Sequence, residues 1–477
     1  MNVIRSGNRR VKIVCTMGPA TKGIDRLLAL IDAGMQVARV NFSHGEYQQH
    51  QEAISDIRGA AQKSGKPIAI MGDLCGPKIR VGKMKGGEFP LNAGDEVIFD
   101  AAYQGEGDQG RIPHSYAPLA RDVHIGDKIL MDDGLLQVEI VKVISDSEVQ
   151  CKVLVGGVLK DKKGMNLPGV SLSTPALTEK DKRDLEFAVR MGVDYVALSF
   201  VRHPQDVLEA KALSAGIPVI AKIEKPEAIQ NLQEILKVSD GVMVARGDLA
   251  IEAGPEKVPL LQKRIIEEIK QYAKPVITAT QMLDSMIVNP LPTRAEVSDV
   301  ANAVLDGTDA VMLSAETSVG KYPVEAVKML DSIIREVEGS EHYLIRSKRS
   351  LQVGEHTFSN AIADAAMGLN KIIDLSAIAV YSESGKSAAL ISAHRPITPL
   401  ICFSRHQTVL NRLALYWGVN PIGGEWSYGV KGIIEQAERA MLDRGLVKPG
   451  DTIAVTFGMI IDNEPFQTDI LKLWKVR

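Results

Sequence analysis

Residues 195–248 read YVALSFVRHPQDVLEAKALSAGIPVIAKIEKPEAIQNLQEILKVSDGVMVARGD, and this stretch decides the fold class. It holds three short apolar runs, Tyr195–Phe200, Val219–Glu224 and Gly241–Asp248, separated by two helical patterns. The runs are rich in Val, Ile and Ala, which is typical of parallel strands covered on both faces. The stretch therefore predicts successive βαβ units.

The same rhythm occurs on both sides of this stretch. Five further runs follow the pattern: Val11–Met17, Gln36–Ser43, Ile68–Asp73, Pro275–Thr280 and Ala310–Glu316. An open doubly wound sheet would give the same local pattern, and only the count of eight runs favours closure. The sequence thus predicts an α/β protein built on a (β/α)8 TIM barrel.

Two regions depart from this alternation of apolar runs and helical patterns. Between the third and fourth runs, short alternating strands with Gly- and Asp-rich turns predict an inserted all-β domain over the carboxyl end of the barrel. After about residue 340, strands at Ala377–Tyr381, Leu400–Phe403 and Thr452–Thr456 predict a smaller, mostly parallel α/β domain. We expect a barrel at 1–74 and 165–340, a β-barrel lid at 75–164, and a C-terminal α/β regulatory domain at 341–477. The charged segment Glu341–Glu355 is interpreted as a linker.

Composition and charge exclude several classes of protein. The 477 residues are 45% hydrophobic and 24% charged, and 56 Lys and Arg against 59 Asp and Glu give a net charge of −3. Such a balance lacks the excess of positive charge that is typical of proteins that bind nucleic acid or an acidic membrane. Four scattered cysteines form no CxxC pair, and no secretory signal or apolar span is present. We expect a reduced, soluble, cytoplasmic enzyme.

Polar side chains stand at the ends of the predicted barrel strands, where such barrels keep their active sites. Lys222 and Glu224 lie two apart on one strand and project to the same side, and Asp248 ends the next strand. Two carboxylates suit Mg²⁺, and a lysine beside them can neutralise an oxygen that becomes negative during a reaction. On spacing alone, an ordinary ion pair among these residues is an equally good interpretation.

Three further strand-end residues have a functional and a structural interpretation each. The N–H of Gly247 could meet a ligand carboxylate, or the glycine could serve a turn. Arg39 could hold a phosphate by bidentate contact, or it could cap a strand. Thr280 could relay a proton, or it could cap the next helix. The spacing leaves all three open.

Seven motifs then occur in one fixed order along the chain. They are Arg39-Val40-Asn41-Phe42-Ser43-His44-Gly45, Gly72-Asp73-Leu74-Cys75-Gly76-Pro77-Lys78-Ile79-Arg80, Lys162-Lys163-Gly164-Met165-Asn166-Leu167-Pro168-Gly169, Ala221-Lys222-Ile223-Glu224, Val244-Ala245-Arg246-Gly247-Asp248-Leu249, Thr278-Ala279-Thr280-Gln281-Met282-Leu283-Asp284-Ser285-Met286 and Met312-Leu313-Ser314-Ala315-Glu316-Thr317. Each is moderately specific, and their joint order is highly specific. In this order the chain resembles the pyruvate kinases along almost its whole length.

The resemblance implies phosphoryl transfer between phosphoenolpyruvate and ADP, which gives pyruvate and ATP. It implies Lys222, Arg39 and Thr280 as catalytic residues, and Arg39, Gly247, Asp248 and Thr280 as contacts to phosphoenolpyruvate and pyruvate. Glu224 and Asp248 would hold Mg²⁺ or Mn²⁺. These parts fit a reaction in which catalysis is chiefly positioning and charge stabilisation.

The resemblance also implies a nucleotide site and a monovalent-cation site. The implied ADP/ATP contacts are Asn41, Phe42, Ser43, His44, Arg80 and Lys163. The implied monovalent-cation ligands are Asn41, Ser43, Asp73 and the Leu74 carbonyl. Lys78 stands where potassium-dependent members carry Glu, and its ammonium could supply the charge that K⁺ otherwise provides. We therefore predict activity without K⁺, the rival interpretation being a solvated surface lysine.

The C-terminal domain carries Ser382-Glu383-Ser384-Gly385-Lys386-Ser387 between a strand and a helix. Hydroxyls and free N–H groups at a helix N-terminus suit a phosphate. The resemblance implies an effector loop for a phosphorylated sugar or nucleotide, with Ser382, Ser384, Gly385, Lys386 and Ser387 as contacts. A well-capped helix without a ligand explains the same residues.

Two alternatives to a pyruvate kinase remain open at this point. A metal-dependent lyase or aldolase of a related barrel type would use Glu224 and Asp248 for enolate chemistry without ADP, and the β insertion with Arg80 and Lys163 argues against it. A catalytically silent metabolite sensor need not retain the complete strand-end set. The resemblance further implies a homotetramer.

Overall fold

A computed structural model of the chain describes residues 9–343, 357–369, 372–424, 429–458 and 468–477. Eight parallel strands close into a barrel in the order β1-β16-β15-β14-β13-β12-β3-β2, with strands numbered in chain order through the whole protein. Their bounds are Lys12–Thr16 (β1), Val37–Asn41 (β2), Ala69–Asp73 (β3), Tyr195–Leu198 (β12), Val219–Ile223 (β13), Gly241–Ala245 (β14), Val276–Ala279 (β15) and Ala310–Leu313 (β16). The predicted closed (β/α)8 barrel is confirmed.

Amphipathic helices surround the barrel and bury its outer face. They are Ile24–Ala33, Tyr47–Ser64, Glu179–Arg190, Pro204–Leu213, Pro226–Gln230, Leu232–Val238, Arg246–Ala253, Val258–Lys270, Arg294–Asp306, Ala315–Ser318 and Pro323–Glu338. Local sequence sets their starts: the Thr178 side chain accepts a hydrogen bond from the Asp181 N–H, and Pro204 occupies the first turn of its helix.

A β domain is inserted between β3 and β12, as predicted. Six strands form one sheet in the order β11-β7-β8-β9-β5-β6, and β10 pairs with β4. Their bounds are Glu88–Leu91 (β4), Glu96–Asp100 (β5), Arg111–Pro113 (β6), Lys128–Met131 (β7), Leu136–Val143 (β8), Glu148–Val155 (β9), Gly157–Lys160 (β10) and Met165–Asn166 (β11), with one short helix at Leu119–Asp122. The domain, hereafter the lid, has a hydrophobic core of its own.

The C-terminal domain is a five-stranded sheet with helices on both faces. Its strands, in the order β19-β18-β17-β20-β21, are Ala377–Tyr381 (β17), Leu400–Ser404 (β18), Val419–Gly423 (β19), Thr452–Phe457 (β20) and Ile470–Lys475 (β21), and only β21 is antiparallel to its neighbour. Its helices are Phe358–Leu369, Lys386–Ala393, Gln407–Leu413 and Gly429–Leu442. The two edge strands, β19 and β21, are not among the strands that the sequence pattern predicts. Residues 344–355 of the predicted linker lie outside the described residues.

The C-terminal domain closes the amino end of the barrel. Ala414 and Leu415 pack among inward-facing side chains of the barrel strands, and the Tyr195 hydroxyl donates to the Arg412 carbonyl at 2.8 Å. This end of the barrel is therefore filled, and the carboxyl end, toward which the lid projects, remains for a ligand. Among the described residues, no helix is both long enough and apolar enough to cross a bilayer.

Candidate active site

A lysine lies at the centre of a buried ionic cluster at the carboxyl end of the barrel. Lys222 Nζ lies 3.0 Å from Glu224 Oε1 and 3.4 Å from Asp73 Oδ1, and its directed hydrogen bond goes to Ser199 Oγ at 2.7 Å. Ser199 in turn donates to the Leu74 carbonyl at 2.7 Å. The Lys222 side chain is only 12% exposed, and the two carboxylates are 1% exposed or less. The predicted same-side projection of Lys222 and Glu224 is what brings them together.

Arg39 adds a second cation to this cluster. Its Nε donates to Asp73 Oδ2 at 2.6 Å and its Nη1 donates to Thr16 Oγ1 at 3.0 Å. The guanidinium is therefore held by β1 and β3 while it stands on β2. An arginine fixed in this way presents a preorganised charge.

The charges of the cluster depend on one another. Burial alone would lower the pKa of Lys222, but the Asp73 and Glu224 carboxylates raise it above its ordinary value. Burial alone would raise the pKa of Asp73, but Lys222 and Arg39 hold it below its ordinary value. Burial raises the pKa of Glu224, which Lys222 opposes and the nearby Asp248 carboxylate reinforces. The lysine is a permanent cation, whereas the ionised form of Glu224 is disfavoured unless a further positive charge arrives.

Glu224 and Asp248 fit a divalent cation. Glu224 Oε2 accepts the Phe200 N–H at 2.7 Å, while Glu224 Oε1 is buried and accepts no hydrogen bond from any described residue. Such an oxygen is suited to a metal ligand. Among the described residues, no three His, Cys, Asp or Glu side chains form a metal cluster, so the protein would supply two carboxylates. That number suits Mg²⁺, which keeps places for water and substrate oxygens.

Asp248 and Gly247 do not end a strand, contrary to the prediction. β14 stops at Ala245, and both residues lie in the first turn of the helix Arg246–Ala253. The helix begins early because Arg246 is held by the barrel: its Nη2 donates to the Thr280 carbonyl at 2.7 Å. A carboxylate in the first turn of a helix faces the positive end of the helix dipole.

Thr280 directly follows β15 and contacts Gly247. The Gly247 N–H donates to Thr280 Oγ1 at 2.9 Å, and Thr280 has a φ of 71°, which threonine rarely adopts. Backbone strain of this kind persists only where the surroundings impose it, and it concentrates at functional sites. The structure therefore places these two predicted contacts side by side.

The predicted nucleotide residues lie at and just after the carboxyl end of β2 and in the lid. Asn41 Oδ1 accepts the Ser43 N–H at 3.1 Å, and the Phe42 ring is buried. Burial lowers the pKa of His44, and Arg80 and Lys78 lower it further, so these three side chains share one region. Between β3 and the lid, Gly76 has a φ of 69°.

Two basic lid residues are partly held by the lid itself. Arg80 Nη1 donates to the Lys162 carbonyl at 3.0 Å, and Lys163 pairs with Asp132 at 2.7 Å. Both remain partly exposed. Lys78 is exposed, and among the described residues no hydrogen bond or ion pair of its side chain is seen.

Comparisons with known proteins address the identity of this site. A family model of the pyruvate kinase barrel domain matches residues 8–327, and one of the pyruvate kinase alpha/beta domain matches residues 360–474. The chain belongs to the pyruvate kinase family. The pyruvate kinases of Bacillus licheniformis and Geobacillus stearothermophilus are each 44% identical to it, over 98% of this chain and 80% of theirs. A crystal structure of a pyruvate kinase from Cryptosporidium parvum superposes with a TM-score of 0.91 at 34% identity, covering 98% of this chain and 96% of that one.

Membership of the pyruvate kinase family confirms the predicted resemblance and enzyme activity. The comparisons favour the pyruvate kinase over the lyase and sensor alternatives. They leave the role of each residue as a prediction.

Sequence reasoning missed Ser199 and Phe200, which position the two central charges. Ser199 holds Lys222, and the Phe200 N–H holds Glu224, with a Phe200 φ of 55°. Both follow β12 directly, so the rule that polar groups at barrel-strand ends serve the site could have found Ser199. Its neighbours are apolar, and it was therefore included in the strand.

The predicted effector loop joins β17 to the helix Lys386–Ala393. The Gly385 N–H donates to Ser382 Oγ at 2.9 Å, and the Lys386 N–H lies 3.4 Å from Ser384 Oγ. Ser387 Oγ shares a 2.5 Å hydrogen bond with Thr468 Oγ1 and is buried. Gly385 occupies the N-cap of this helix and no described side chain caps it, so the loop lacks the well-capped form that the structural interpretation requires. Ser384 and Lys386 are exposed.

Proposed function

We propose that the site transfers the phosphoryl group of phosphoenolpyruvate to ADP, giving pyruvate and ATP. The observation that carries this proposal is the buried Lys222 ammonium, held between two carboxylates and Ser199 at the open end of the barrel. A permanent, preorganised cation is what a transferring phosphoryl group and a developing enolate oxygen need.

The remaining charged and polar groups have complementary roles in this proposal. Arg39, fixed by Asp73 and Thr16, grips the phosphoryl oxygens. Gly247 and Thr280 orient the carboxylate of the three-carbon substrate, and the Thr280 hydroxyl is close to the carbon that receives a proton. Asn41, Phe42, Ser43, His44, Arg80 and Lys163 line the nucleotide path. The lid excludes water from the transfer.

Glu224 and Asp248 would hold Mg²⁺ or Mn²⁺. Glu224 Oε1 supports this assignment, because it is buried and accepts no directed hydrogen bond from a described residue, its ion-pair partner being Lys222 Nζ at 3.0 Å. When bound, the cation supplies positive charge to the oxygens of substrate and phosphoryl. The protein residues orient those oxygens, and the positive charge of the cation would favour the ionised form of Glu224.

We further propose that Lys78 makes turnover independent of K⁺. Burial lowers the pKa of His44, and the charges of Arg80 and Lys78 lower it further. Lys78 follows the predicted ligands Asp73 and Leu74 closely along the chain. A tethered ammonium close to these ligands would replace a free monovalent cation.

The deciding experiment is pyruvate formation from phosphoenolpyruvate and ADP with Mg²⁺, with and without K⁺. Wild type, Lys222→Met and Lys78→Glu are compared. We expect wild type to turn over without K⁺, Lys222→Met to be inactive in either condition, and Lys78→Glu to require K⁺. A strict K⁺ requirement in wild type would refute the role of Lys78, and no turnover of folded wild type in any cation would refute the reaction.

Allosteric activation by a phosphorylated sugar or nucleotide is the regulatory part of the proposal. The loop Ser382–Ser387 offers hydroxyls and N–H groups at a helix N-terminus. A Ser384→Ala/Ser387→Ala variant titrated with candidate effectors should lose activation while basal turnover persists. Unchanged activation would remove the loop from the proposal.

The oligomeric state, the cellular location and the domain limits are also part of the proposal. We expect a homotetramer in the cytoplasm, where the substrates of this reaction occur. The expected limits are 1–74 with 165–340 for the barrel, 75–164 for the lid and 341–477 for the regulatory domain. The limit at 164 is corrected, because β11 (Met165–Asn166) pairs with β7 of the lid, and Leu167 and Val170 belong to the lid core. Sedimentation equilibrium tests the tetramer, and limited proteolysis at the limits tests the division.

A further inference from the structure

A second buried ion pair lies behind the active-site cluster, where the lid meets the barrel. Lys225 Nζ and Glu252 Oε1 are 2.7 Å apart, and their side chains are 4% and 1% exposed. The pair lines a crevice whose other walls include Pro77 and Leu167 of the lid's two connections. Neither residue has a role in the function proposed above.

The pair joins the two segments that carry the candidate metal ligands. Lys225 directly follows Glu224 and precedes the helix Pro226–Gln230. Glu252 lies on the helix Arg246–Ala253, four residues after Asp248, and residues four apart share one face of a helix. The ion pair therefore fixes the distance between the backbone at Glu224 and the helix that bears Asp248.

The lid contacts the same pair. Asn166, in the last lid strand β11, donates from Nδ2 to Glu252 Oε1 at 3.0 Å. Glu252 Oε1 thus receives both the barrel lysine and the lid amide. A shift of β11 relative to the barrel would change this contact directly.

The energetics argue against a purely stabilising role. A buried ion pair often contributes little net stability compared with apolar residues of similar volume, because both charges lose their hydration. Glu252 Oε2 is moreover buried with no hydrogen-bond donor among the described residues, so the carboxylate is incompletely satisfied. A buried ion pair that contributes little to stability can still serve to fix the relative positions of the two segments it joins.

We propose that Lys225 and Glu252 are positioning residues that set the spacing of the Glu224 and Asp248 carboxylates for a divalent cation, and that Asn166 couples this spacing to the lid. This inference rests on the proposed metal site. Residues that orient metal ligands from behind typically change metal affinity 10- to 100-fold when replaced.

Equilibrium Mn²⁺ binding to the full-length protein without substrates tests the positioning role. We expect Glu252→Gln and Lys225→Met each to weaken Mn²⁺ binding about 10-fold. The Lys225→Met/Glu252→Gln double variant should bind no more weakly than the single variants, because the two residues act as one unit. Independent, multiplicative losses in the double variant would overturn the pair as a unit.

A matched control is the buried ion pair Arg395–Asp309, which is also 2.7 Å long and under 10% exposed but lies at the amino end of the barrel. Asp309→Asn should leave Mn²⁺ affinity within twofold of wild type. A loss equal to that of Glu252→Gln would show that general loosening, and not positioning, explains the result.

Two further variants separate the parts of the argument. If Glu224→Gln binds Mn²⁺ as wild type does, the proposed metal site is wrong; if Glu224→Gln loses binding while Glu252→Gln does not, only the present inference fails. Asn166→Ala keeps both charges and is expected to raise the KM for Mg²⁺ about threefold to tenfold with kcat within twofold. Wild-type behaviour of Asn166→Ala would remove the coupling to the lid.

Discussion

The two ends of the barrel both bury charged side chains, but the carboxylates at the two ends differ in how many of their oxygens accept hydrogen bonds. At the carboxyl end, Glu224 Oε1 and Asp73 Oδ1 accept no hydrogen bond from the described residues. At the amino end, Asp309 Oδ1 accepts from Arg395 Nη1 at 2.7 Å and the Trp417 N–H at 3.3 Å, and Oδ2 accepts from the Val276 N–H at 3.0 Å.

A second aspartate at the amino end has the same character. Asp194 Oδ2 accepts from the Ile70 N–H at 2.7 Å and Arg58 Nη2 at 2.8 Å, and Oδ1 accepts from Asn411 Nδ2 at 3.2 Å. Both oxygens of these two aspartates are hydrogen-bonded, although Arg395 Nε has no hydrogen-bond partner among the described residues.

At the carboxyl end, Glu224 Oε1 and Asp73 Oδ1 instead face the Lys222 ammonium, at 3.0 and 3.4 Å. Such oxygens are candidates for ligand contacts. The division agrees with the general use of such barrels, with function at one end and stability at the other.

The largest expected effect is the loss of activity at Glu224. Glu224→Gln should lower kcat by about 10³-fold or more, because metal-ion catalysis contributes several kcal/mol. The melting temperature should change much less than the activity, because Lys222 keeps the Asp73 carboxylate as a partner at 3.4 Å. Steady-state kinetics and thermal melts measure both. A folded variant that stays active would break the comparison.

At the amino end, Asp309→Asn should do the reverse. Removing one partner of a buried ion pair leaves Arg395 uncompensated and is expected to cost about 3 kcal/mol of stability. Turnover with saturating substrates should stay within twofold of wild type, since no contact of Asp309 reaches the site. Urea unfolding and initial rates are the measurements, and a kcat loss without a stability loss would contradict the assignment of this end.

A smaller effect concerns the pH dependence of stability at the same end. Burial and then Arg9 lower the pKa of Lys12 from 10.5 to about 7, and Lys12 Nζ donates to the Val419 carbonyl at 2.7 Å. Between these two pKa values the unfolded chain binds the proton that the folded chain releases, so this residue makes stability rise with pH from about 7 towards 10. The slope is at most about 1.4 kcal/mol per pH unit.

Lys12→Met tests this slope, because methionine fills a similar volume without a charge. Urea midpoints at pH 7, 8 and 9 should rise more steeply for wild type than for the variant. Parallel curves would show that Lys12 remains charged in the folded protein. Activity at pH 7 should be unaffected, which distinguishes this lysine from Lys222.

The barrel could be predicted because its strands are nearly continuous apolar runs, and the site because polar residues such as Arg39 and Lys222 lie near the ends of those runs and others such as Thr280 follow them. The same rule gives a wrong position for Asp248 and does not identify Ser199. Asp248 was assigned to a strand end, although β14 stops at Ala245 and a helix begins there. Ser199 was overlooked because it stands between Leu198 and Phe200, and only the tertiary fold brings it to Lys222.

The missed edge strands have a physical explanation as well. β19 reads VNPIG and β21 reads ILKLWK, and neither has the continuous apolar character of the interior strands. Asn, Pro and Gly disfavour strands, and edge positions tolerate proline and exposed charges that interior positions do not. The contact of Lys225 with Glu252 was equally invisible, because it depends on two segments that no sequence spacing relates.

The closure of the barrel has a consequence for co-translational folding. β1 pairs with β16, and Lys12 is in register with Ala310. The first strand to be synthesised therefore stays without this pairing strand until ~300 more residues have been added. At about 5–20 residues per second, that wait is about 15–60 s. During this time β1 exposes an unpaired edge that carries the apolar residues Ile13, Val14 and Cys15, although the lid could already fold around its own core. Slow, non-local closure of this kind makes the nascent barrel, rather than the finished enzyme, the stage most exposed to aggregation.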